Sequence, residues 1–552
     1  MKLFQRLGAG FPALLALFLV LTTSCSSDDL LDQVPEDVNM AMIIDFDRAL
    51  ERTGITLDKS GLAVPGDLGV FCREIPEEVQ DVLFAARESV DLSQVVVFTR
   101  YDLSSEDMES EPYFLARVRD EKTLARLLTE EMELKEKDVD GYRTFYSRMT
   151  WNAITFVLHD GNIWIAPGSK PEMAVKNLTA VLKQAKEKPL TARKEIVKAL
   201  REDKIISYAF SFDSYMRLLD YTMSDVILLA KSDSVPDPTK DLKALFAPLK
   251  GCWYVASYDV DGTSIDLDLT IFGADGKEFG YPYVKDVDTS VFGYIPADYF
   301  AAGIFGIDGS QTKDGLAALG RLADTYLSGN GRDRTKKILK WLGNIDGSCV
   351  IGFGTDNMRE MLYGGGVANL KMTIALQMRP GKALETIGEI ASMVNVADSG
   401  DLSAAEPLMT VKNGEAVLAI PDMPLKFYFK AVGNDLVIST RPVTTGNRFP
   451  AADKFKGLQG GGVLTLKSFA DLTDGKCDYG LEIYGEQSGG HFESTLTLTN
   501  CETDIINGYY RFGRALFQGY QTFRASHPVK KIPDDMVIYD ADEVDTLPVL
   551  EY

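Results

Sequence analysis

Two stretches of the chain, far apart in sequence, repeat one pattern. Each places a Gly-Asn pair between two apolar runs: Gly161-Asn162 lies within Ile154–Ala166, and Gly433-Asn434 lies within Lys426–Ile438. Apolar runs joined by such a pair are typical of a β-hairpin with a tight turn. The two asparagines are 434 − 162 = 272 residues apart. A hairpin that recurs at this distance predicts a chain of two related halves, which is the strongest constraint on its fold.

A second pair of landmarks supports the repeat. Pro35 and Asp37 recur as Pro296 and Asp298, and 296 − 35 = 261 residues separate the prolines. Helical and strand-like patterns follow each landmark in the same order, and the helical stretch 171–204 explains much of the change in offset. We therefore expect a tandem duplication with halves at 34–285 and 286–502. A multi-repeat solenoid is disfavoured, because its repeats are about 20–50 residues long.

Alternating apolar and polar residues predict the fold class. They occur in Ser264–Ile271 and Glu493–Thr499, as in antiparallel strands with one packed face and one solvated face. Helices are expected to cover the packed face, for example a helix from Asp47 to Thr53 that ends at Gly54 and one from Gln311 to Leu319. The prediction is an α+β protein of two duplicated halves, each a mainly antiparallel sheet covered by helices.

Residues 503–552 are expected to form a C-terminal aromatic helix and an acidic tail. The aromatic side chains of this helix should dock onto the second sheet in preference to binding a ligand. They are Tyr509, Tyr510, Phe512, Phe517, Tyr520 and Phe523.

The N-terminal sequence predicts the cellular location of the protein. Lys2 and Arg6 precede the apolar run Phe11–Leu21, which is too short to span a bilayer. The following Leu21-Thr-Thr-Ser-Cys25 resembles the lipobox of bacterial lipoproteins, although Thr22 stands where a leucine is usual. The resemblance implies that residues 1–24 are a signal peptide and that Cys25 carries acyl chains such as palmitate. The alternative is an ordinary secretory peptide with an incidental cysteine.

An acidic cluster follows the cysteine. Ser26, Ser27, Asp28 and Asp29 resemble the export signal of bacteroidete lipoproteins, so residues 25–33 are expected to be a lipidated tether. This predicts a lipid-anchored outer-membrane protein at the cell surface, with the periplasmic face as the alternative. The membrane is then a partner through Cys25.

The charge of the chain excludes one class of partner. Its formal net charge is −23, and nucleic acid binding needs clustered lysine and arginine. One stretch, 183–204, is basic, and it either contacts anionic polysaccharide or lipid headgroups or forms a solvated helix face. Its cations are Lys183, Lys186, Lys188, Arg193, Lys194, Lys198, Arg201 and Lys204.

Cysteine spacing indicates no zinc ribbon or thioredoxin-like site, because no CxxC pair exists. Cys477 and Cys501 lie on two strand-like runs joined through Gln487–Gly490. A turn centred at Gly489 would place the two thiols opposite each other. They therefore form either a disulfide or two buried free thiols.

No catalytic, cofactor-binding or metal-binding residue is predicted. His159, His491 and His527 are scattered, and His159 aligns with Ala431 in the second hairpin. The two Asp-Val-Asp-Gly stretches, 138–141 and 259–262, lack the further acidic ligands of a calcium loop and fit strand turns. No GxSxG or GxxxxGK[ST] motif is present.

Three features together resemble a known family. The lipobox, the opening Val34–Asn39 and the hairpin Ile154–Pro167 are similar to a family of bacteroidete envelope lipoproteins, the domain-of-unknown-function family four-eight-three-six. The resemblance covers nearly the whole mature chain and implies no substrate, cofactor or catalytic residue.

The leading functional hypothesis is a non-catalytic lipoprotein that binds a ligand or an envelope protein or glycan partner. One alternative is an envelope hydrolase that uses paired carboxylates, which a pocket with two carboxyl groups about 5–9 Å apart would favour. The other is a structural subunit of an envelope complex. A functional site is expected where the two halves differ or meet.

Overall fold

The computed structural model describes residues 29–58, 61–66, 69, 77–101, 110–147, 155–168, 170–217, 246–327, 329–364, 367–397, 408–420, 425–503 and 505–526. Cys25, Ser26, Ser27, Asp28, His527 and the acidic tail lie outside the described residues. Within these ranges, no helix combines the length and the apolar character needed to cross a membrane.

The strands fall into two series. The first comprises β1 (Met40–Ile44), β2 (Thr56–Asp58), β3 (Gly61–Ala63), β4 (Val90–Tyr101), β5 (Ser110–Val118), β6 (Lys135–Val139), β7 (Tyr142–Tyr146), β8 (Thr155–His159), β9 (Asn162–Ala166), β10 (Ile206–Ser211), β11 (Trp253–Asp261) and β12 (Ser264–Phe272). The second comprises β13 (Ala301–Ile307), β14 (Ile345–Thr355), β15 (Leu370–Met378), β16 (Met409–Lys412), β17 (Glu415–Ala419), β18 (Lys426–Val432), β19 (Asp435–Ser439), β20 (Gly460–Leu466), β21 (Gly480–Ser488) and β22 (His491–Thr499).

The α-helices of the described ranges lie between these strands and at the C-terminal end. They are α1 (Phe46–Thr53), α2 (Glu77–Ser89), α3 (Glu121–Arg126), α4 (Pro171–Glu187), α5 (Lys194–Leu200), α6 (Lys313–Tyr326), α7 (Gly329–Leu342), α8 (Met358–Tyr363), α9 (Lys382–Ala397) and α10 (Ile505–Ser526).

The prediction of a mixed helix and strand protein with antiparallel pairing is confirmed, but the strands form one sheet of 20 and not two sheets. The registers give the order β6-β7-β8-β9-β5-β4-β1-β10-β11-β12-β22-β21-β20-β13-β14-β15-β19-β18-β17-β16. Read inward from either edge, the two series follow the same order, with β13 in the place of β1. The small hairpin β2–β3 stands apart.

The two series join through β12 and β22, their last strands. Ser264 faces Thr497 and Thr270 faces His491 in this antiparallel pair. Each of these strands would otherwise leave an edge of unpaired backbone groups, and pairing them satisfies both edges. An alternating pattern shows that a segment is a strand but does not identify its partner, so the sequence did not predict this junction.

The first hairpin turns one residue earlier than expected. Its turn is Asp160-Gly161, with φ of 48° and 72°, and Asn162 already pairs with His159. Both central residues of a type I′ turn need positive φ, which the Asp-Gly pair accommodates. The second hairpin turns at Gly433-Asn434 as predicted. His159 therefore corresponds to Val432 and not to Ala431.

Both faces of the sheet carry a hydrophobic core, which corrects the expectation of one wet face. Val96 and Phe98 of β4 join one core with α4 and α5, whereas Val95 and Val97 join another core with α2 and α3. Successive side chains of a strand point to opposite faces. The second series is likewise packed on two sides. In β12, polar and apolar side chains alike are mostly half-buried.

Several predicted boundaries change. Helix α1 ends at Gly54, which has φ 67°, as predicted, but α6 continues past Gly320 to Tyr326. The expected tether is folded from Asp29 onward, because Leu30–Gln33 is a 3-10 helix whose Leu30 and Leu31 are fully buried.

The C-terminal helix does not cover the second sheet in the way expected. In α10, Phe512 packs on Phe469 at 4.3 Å between ring centroids, and Phe523 packs on Tyr363 of α8. Phe517 is 61% exposed. The helix therefore docks on α8 and on the loop around Phe469, and near its start Gly508 packs against Leu498 of β22.

Candidate functional site

The two strand series differ at a corresponding place, β4–β5 in residues 34–285 (here the first half) and β14–β15 in residues 286–502 (the second half). The backbone N–H of Asn39 donates to the Thr99 carbonyl, and the N–H of Phe300 donates in the same way to the Phe353 carbonyl. Because the two bonds are equivalent, they align β4 with β14. Phe98 and its cross-strand neighbour Tyr113 therefore correspond to Gly352 and its cross-strand neighbour Thr373.

In the first half this row is filled by packed side chains. Phe98 and Tyr113 are stacked at 4.9 Å and are at most 1% exposed. Helix α4 covers them, since its buried face belongs to the same core. At the rim, Arg100 reaches Gln184 of α4 and Asp37. No space for a ligand is expected in a row packed in this way.

In the second half Ile295 and Tyr299 lie over Gly352, and an open cleft of about 300 Å³ lies beside Thr373, the counterpart of Tyr113. The chain between β19 and β20 has no counterpart of α4 and contains only the 3-10 turn Ala452–Phe455. The cleft is lined mostly by polar, aromatic or charged residues, with three apolar ones among them: Tyr294, Pro296, Asp298, Tyr299, Asp356, Lys371, Thr373, Ser439, Arg441, Pro442, Val443 and Thr444.

A row of hydroxyl groups forms the floor of the cleft. The Tyr299 hydroxyl lies 3.0 Å from Thr373 Oγ1, which lies 3.0 Å from Ser439 Oγ. The Tyr299 ring lies against the backbone of β14, where a Cβ on Gly354 would come within 2.7 Å of the ring. Burial raises the pKa of the Tyr299 phenol, so it keeps its proton for hydrogen bonding at neutral pH.

The rim of the cleft carries two cations and two carboxylates. Lys371 Nζ lies 2.7 Å from Asp356 Oδ1 and 3.0 Å from Asp298 Oδ2, and an Arg441 nitrogen lies 2.7 Å from Asp356 Oδ2. The hydrogen bond from Lys371 lowers the pKa of Asp356, and the same bond raises the pKa of Lys371. The formal charges of the two cations and the two carboxylates cancel.

One wall is held in place by a half-buried tyrosine. The Tyr294 hydroxyl donates to Oδ2 of Asp435, the first residue of β19, at 2.7 Å. Burial, and then this carboxylate, raise the pKa of Tyr294. This bond positions the 3-10 turn Thr289–Tyr294 against the sheet, and the turn brings Pro296, Asp298 and Tyr299 to the cleft.

The two carboxylates of the rim are held by one ammonium group. Their oxygens both contact Lys371 Nζ, so these oxygens are separated by at most the sum of 2.7 and 3.0 Å. A glycosidase pair needs one carboxyl group with a raised pKa that stays protonated as the acid. The pKa of Asp356 is lowered, so Asp356 does not have the property of that acid. Burial raises the pKa of the Asp47 carboxyl group to about 7. Asp47 belongs to the first half, however, and interacts with Asp45 and Asp91.

The histidines within the described ranges lie elsewhere. His159 sits at the first hairpin turn beside Asp160 and the Tyr142 ring. His491 begins β22, and one atom each of Asp268, His491 and Glu493 lies within 4.8 Å of the other two.

The ammonium group of Lys204 already contacts the cluster of Asp268, His491 and Glu493. Lys204 Nζ lies 2.8 Å from Asp268 Oδ2, His491 Nε2 lies 2.8 Å from Glu493 Oε1, and His491 Nδ1 lies 2.9 Å from Thr270 Oγ1. A metal ion would have to displace the ammonium group of Lys204 from Asp268. We therefore interpret the cluster as an ion-pair and hydrogen-bond network that ties β12 to β22.

The remaining residues singled out in the sequence take part in contacts that stabilise the fold or lie as free thiols. Cys477 and Cys501 are free thiols: β21 begins at Gly480 and β22 ends at Thr499, so neither cysteine lies on the paired strands. The turn between these strands is Gly489-Gly490, because Ser488 pairs with His491. Asp29 caps the 3-10 helix Leu30–Gln33 and contacts Arg201. Asp259 is bound by Arg48 through two hydrogen bonds, so its carboxylate is not available to calcium.

The sequence reasoning missed the cleft. Pro296 and Asp298 attracted attention only as landmarks of the repeat, and no motif links them to Asp356, Lys371 or Arg441. These residues come from separate elements, and only the order of the strands brings them together. The signal that was available is the smaller Thr373 at the position aligned with Tyr113.

No known protein family, no curated protein and no solved structure matches the chain. The resemblance to the envelope lipoprotein family therefore stays a prediction.

Proposed function

We propose that the protein is a non-catalytic envelope lipoprotein that binds an uncharged, hydroxyl-rich ligand, a mono- or disaccharide, in the cleft of its second half. The observation that carries the proposal is the buried row of hydroxyl groups beneath a rim of paired charges. This row lies where the first half is filled by Phe98, Tyr113 and α4.

The charge of the cleft supports a neutral ligand. The rim charges of Asp298, Lys371, Asp356 and Arg441 cancel, so the cleft selects neither an anion nor a cation. Paired carboxylates and cations still offer fixed acceptors and donors to neighbouring hydroxyl groups, and such charge-assisted hydrogen bonds are strong. A volume of about 300 Å³ is at the small end of ligand sites and suits one or two sugar rings.

We further propose that the two halves arose by tandem duplication. The shared strand order supports this, as do the backbone bonds that align Asn39 with Phe300 and Thr99 with Phe353. On this view one copy retained an open cleft, whereas the other acquired α4 and a packed core. The proposal assigns ligand binding to residues 286–502 and a scaffold role to residues 34–285.

Anchoring through a lipid on Cys25 completes the proposal. Cys25→Ala is expected to move the protein from the membrane fraction to the soluble fraction, because no acyl chains would then hold it. Fractionation followed by immunoblotting measures this, and labelling of intact cells with an antibody tests surface display. A Cys25→Ala protein that stays in the membrane fraction would refute the lipid anchor, and labelling that appears only after permeabilisation would refute surface display.

The cleft is tested by calorimetric titration of the mature protein with a panel of neutral mono- and disaccharides. Thr373→Val and Arg441→Gln are each expected to weaken the binding of a positive ligand roughly tenfold, about 1.4 kcal/mol, by removing a hydroxyl from the floor or a cation from the rim. Arg143→Gln is the matched control, since Arg143 pairs with Glu121 and Glu136 on the first half, away from the cleft.

Two results would contradict the binding proposal. One is equal affinity of the two cleft variants and the control. The other is the appearance of cleaved saccharide in the titrated sample, analysed by mass spectrometry, with loss of that cleavage in Asp298→Asn and Asp356→Asn. The second result would favour the hydrolase that uses paired carboxylates.

A further inference from the structure

A basic surface lies on the exposed sides of α4 and α5. Helix α5 buries Ile196, Val197 and Leu200, and it exposes Lys194 and Lys198, which are four residues apart. Residues four apart lie on the same face of a helix, so the two ammonium groups form a stripe. Arg201, three residues further on, continues the stripe and is exposed.

The end of α4 and the residue that follows it add three more exposed lysines: Lys183, Lys186 and Lys188. Together with Lys194 and Lys198 they are here called the basic surface. Within the described part of the chain, none of these five lysines forms an ion pair. The stretch 183–198 holds six cations and only two carboxylates, in a chain whose net charge is −23. The neighbouring carboxylates of Glu36 and Asp29 pair with the arginines Arg193 and Arg201, and the five lysines keep an excess of positive charge.

The first described residue places this surface close to the expected anchor. Asp29 forms an ion pair with Arg201, and Asp32 accepts a hydrogen bond from Thr191 between α4 and α5. Asp29 follows Cys25 by four positions, and four fully extended residues span at most about 14 Å. A lipid on Cys25 therefore enters the bilayer within a short distance of the basic surface.

We propose that the basic surface docks on the anionic phosphate headgroups of the bilayer that holds the anchor. The inference rests on the proposed lipid anchor, because the anchor is what brings this face to the membrane. Electrostatic attraction to a charged bilayer acts over about one Debye length, roughly 8 Å at physiological salt. Contact through α4 and α5 then fixes the orientation of the protein, with the first half toward the membrane.

The test uses the whole mature chain with Cys25→Ala, so that no acyl chain contributes to binding. Co-sedimentation is measured with vesicles of phosphatidylglycerol and phosphatidylcholine, and with vesicles of phosphatidylcholine alone. We expect binding to the anionic vesicles only, with a loss of binding as salt increases. Replacing Lys183, Lys186, Lys188, Lys194 and Lys198 by glutamine is expected to weaken it at least tenfold.

The control replaces five exposed lysines of the second half by glutamine and changes the net charge equally. These are Lys412, Lys426, Lys456, Lys467 and Lys476. The control is expected to change binding less than twofold, with both variants showing unchanged circular dichroism melting curves. Equal loss in both variants, or equal binding to the two kinds of vesicle, would overturn the proposal. Binding to a soluble anionic polysaccharide without binding to vesicles would also overturn it. Because this protein carries no lipid, none of these outcomes depends on whether Cys25 is acylated in cells.

Discussion

Replacing Phe98 by alanine is expected to lower the free energy of unfolding by about 3–5 kcal/mol. The side chain is fully buried, stacks on Tyr113 at 4.9 Å and meets the Trp164 ring edge-on at 6.4 Å. Its removal opens a cavity under α4 in a core where every neighbour is packed. The loss therefore combines lost burial with the cost of the cavity.

The aligned row of the second half provides the control. Thr373→Val removes only a hydroxyl group, and the expected loss is about 1 kcal/mol. Chemical denaturation monitored by circular dichroism measures both variants. A Phe98→Ala protein that loses no more stability than Thr373→Val would show that the first-half row is not a packed core, and the proposed difference between the two halves would fail.

Local features of the fold could be predicted because each depends on a few neighbouring residues. Asp45 accepts a hydrogen bond from the Arg48 N–H at the start of α1, and Gly54 ends the helix at positive φ. The Asn413-Gly414 pair, with φ of 53° and 78°, forms the turn between β16 and β17. Caps and turns of this kind are specified by side chains within a few positions of each other.

Features that depend on distant residues could not be predicted. The pairing of β12 with β22 joins segments more than 200 residues apart, and an alternating pattern fits many partners. The burial of both faces was missed because the pattern was interpreted strand by strand, without the helices that cover each side. The cleft was missed for the same reason: Lys371, Asp356 and Arg441 acquire their roles only when β14, β15 and β19 lie side by side.

The contact between Arg48 and Asp259 is an example of a distant contact that the local sequence around Asp259 does not reveal. Asp259 belongs to an Asp-Val-Asp-Gly stretch that could have been interpreted as part of a calcium loop. In the structure, the Arg48 guanidinium donates to both Asp259 oxygens, at 2.9 and 2.6 Å, and its third nitrogen lies 2.8 Å from Asp203. Burial favours a higher pKa for Asp259, but the hydrogen bonds from Arg48 outweigh it and the pKa is lowered. The arginine thus holds α1 against β11.

Arg48→Met is expected to lower the free energy of unfolding by about 3–5 kcal/mol at neutral pH, because it leaves the nearly buried Asp259 carboxylate without its counter-charge. Since the pKa of Asp259 is lowered in the folded protein, the ion pair stabilises the fold above the unfolded pKa and this contribution is lost as pH falls. The difference between the variant and the native protein should therefore shrink below about pH 4. Urea denaturation at neutral and acidic pH measures it.

The next turn of the same helix contains the matched control. Arg52 pairs with Asp261, but the two side chains are 33% and 75% exposed. Arg52→Met should therefore cost less than about 1 kcal/mol. The double variant Arg48→Met, Asp259→Leu should recover most of the loss, because an apolar pair of similar size has no charge to desolvate. If Arg48→Met were no more destabilising than Arg52→Met, the pair would be solvated and α1 would be held by its apolar face alone. Failure of the double variant to recover stability would instead assign the loss to packing of the arginine side chain and not to its charge.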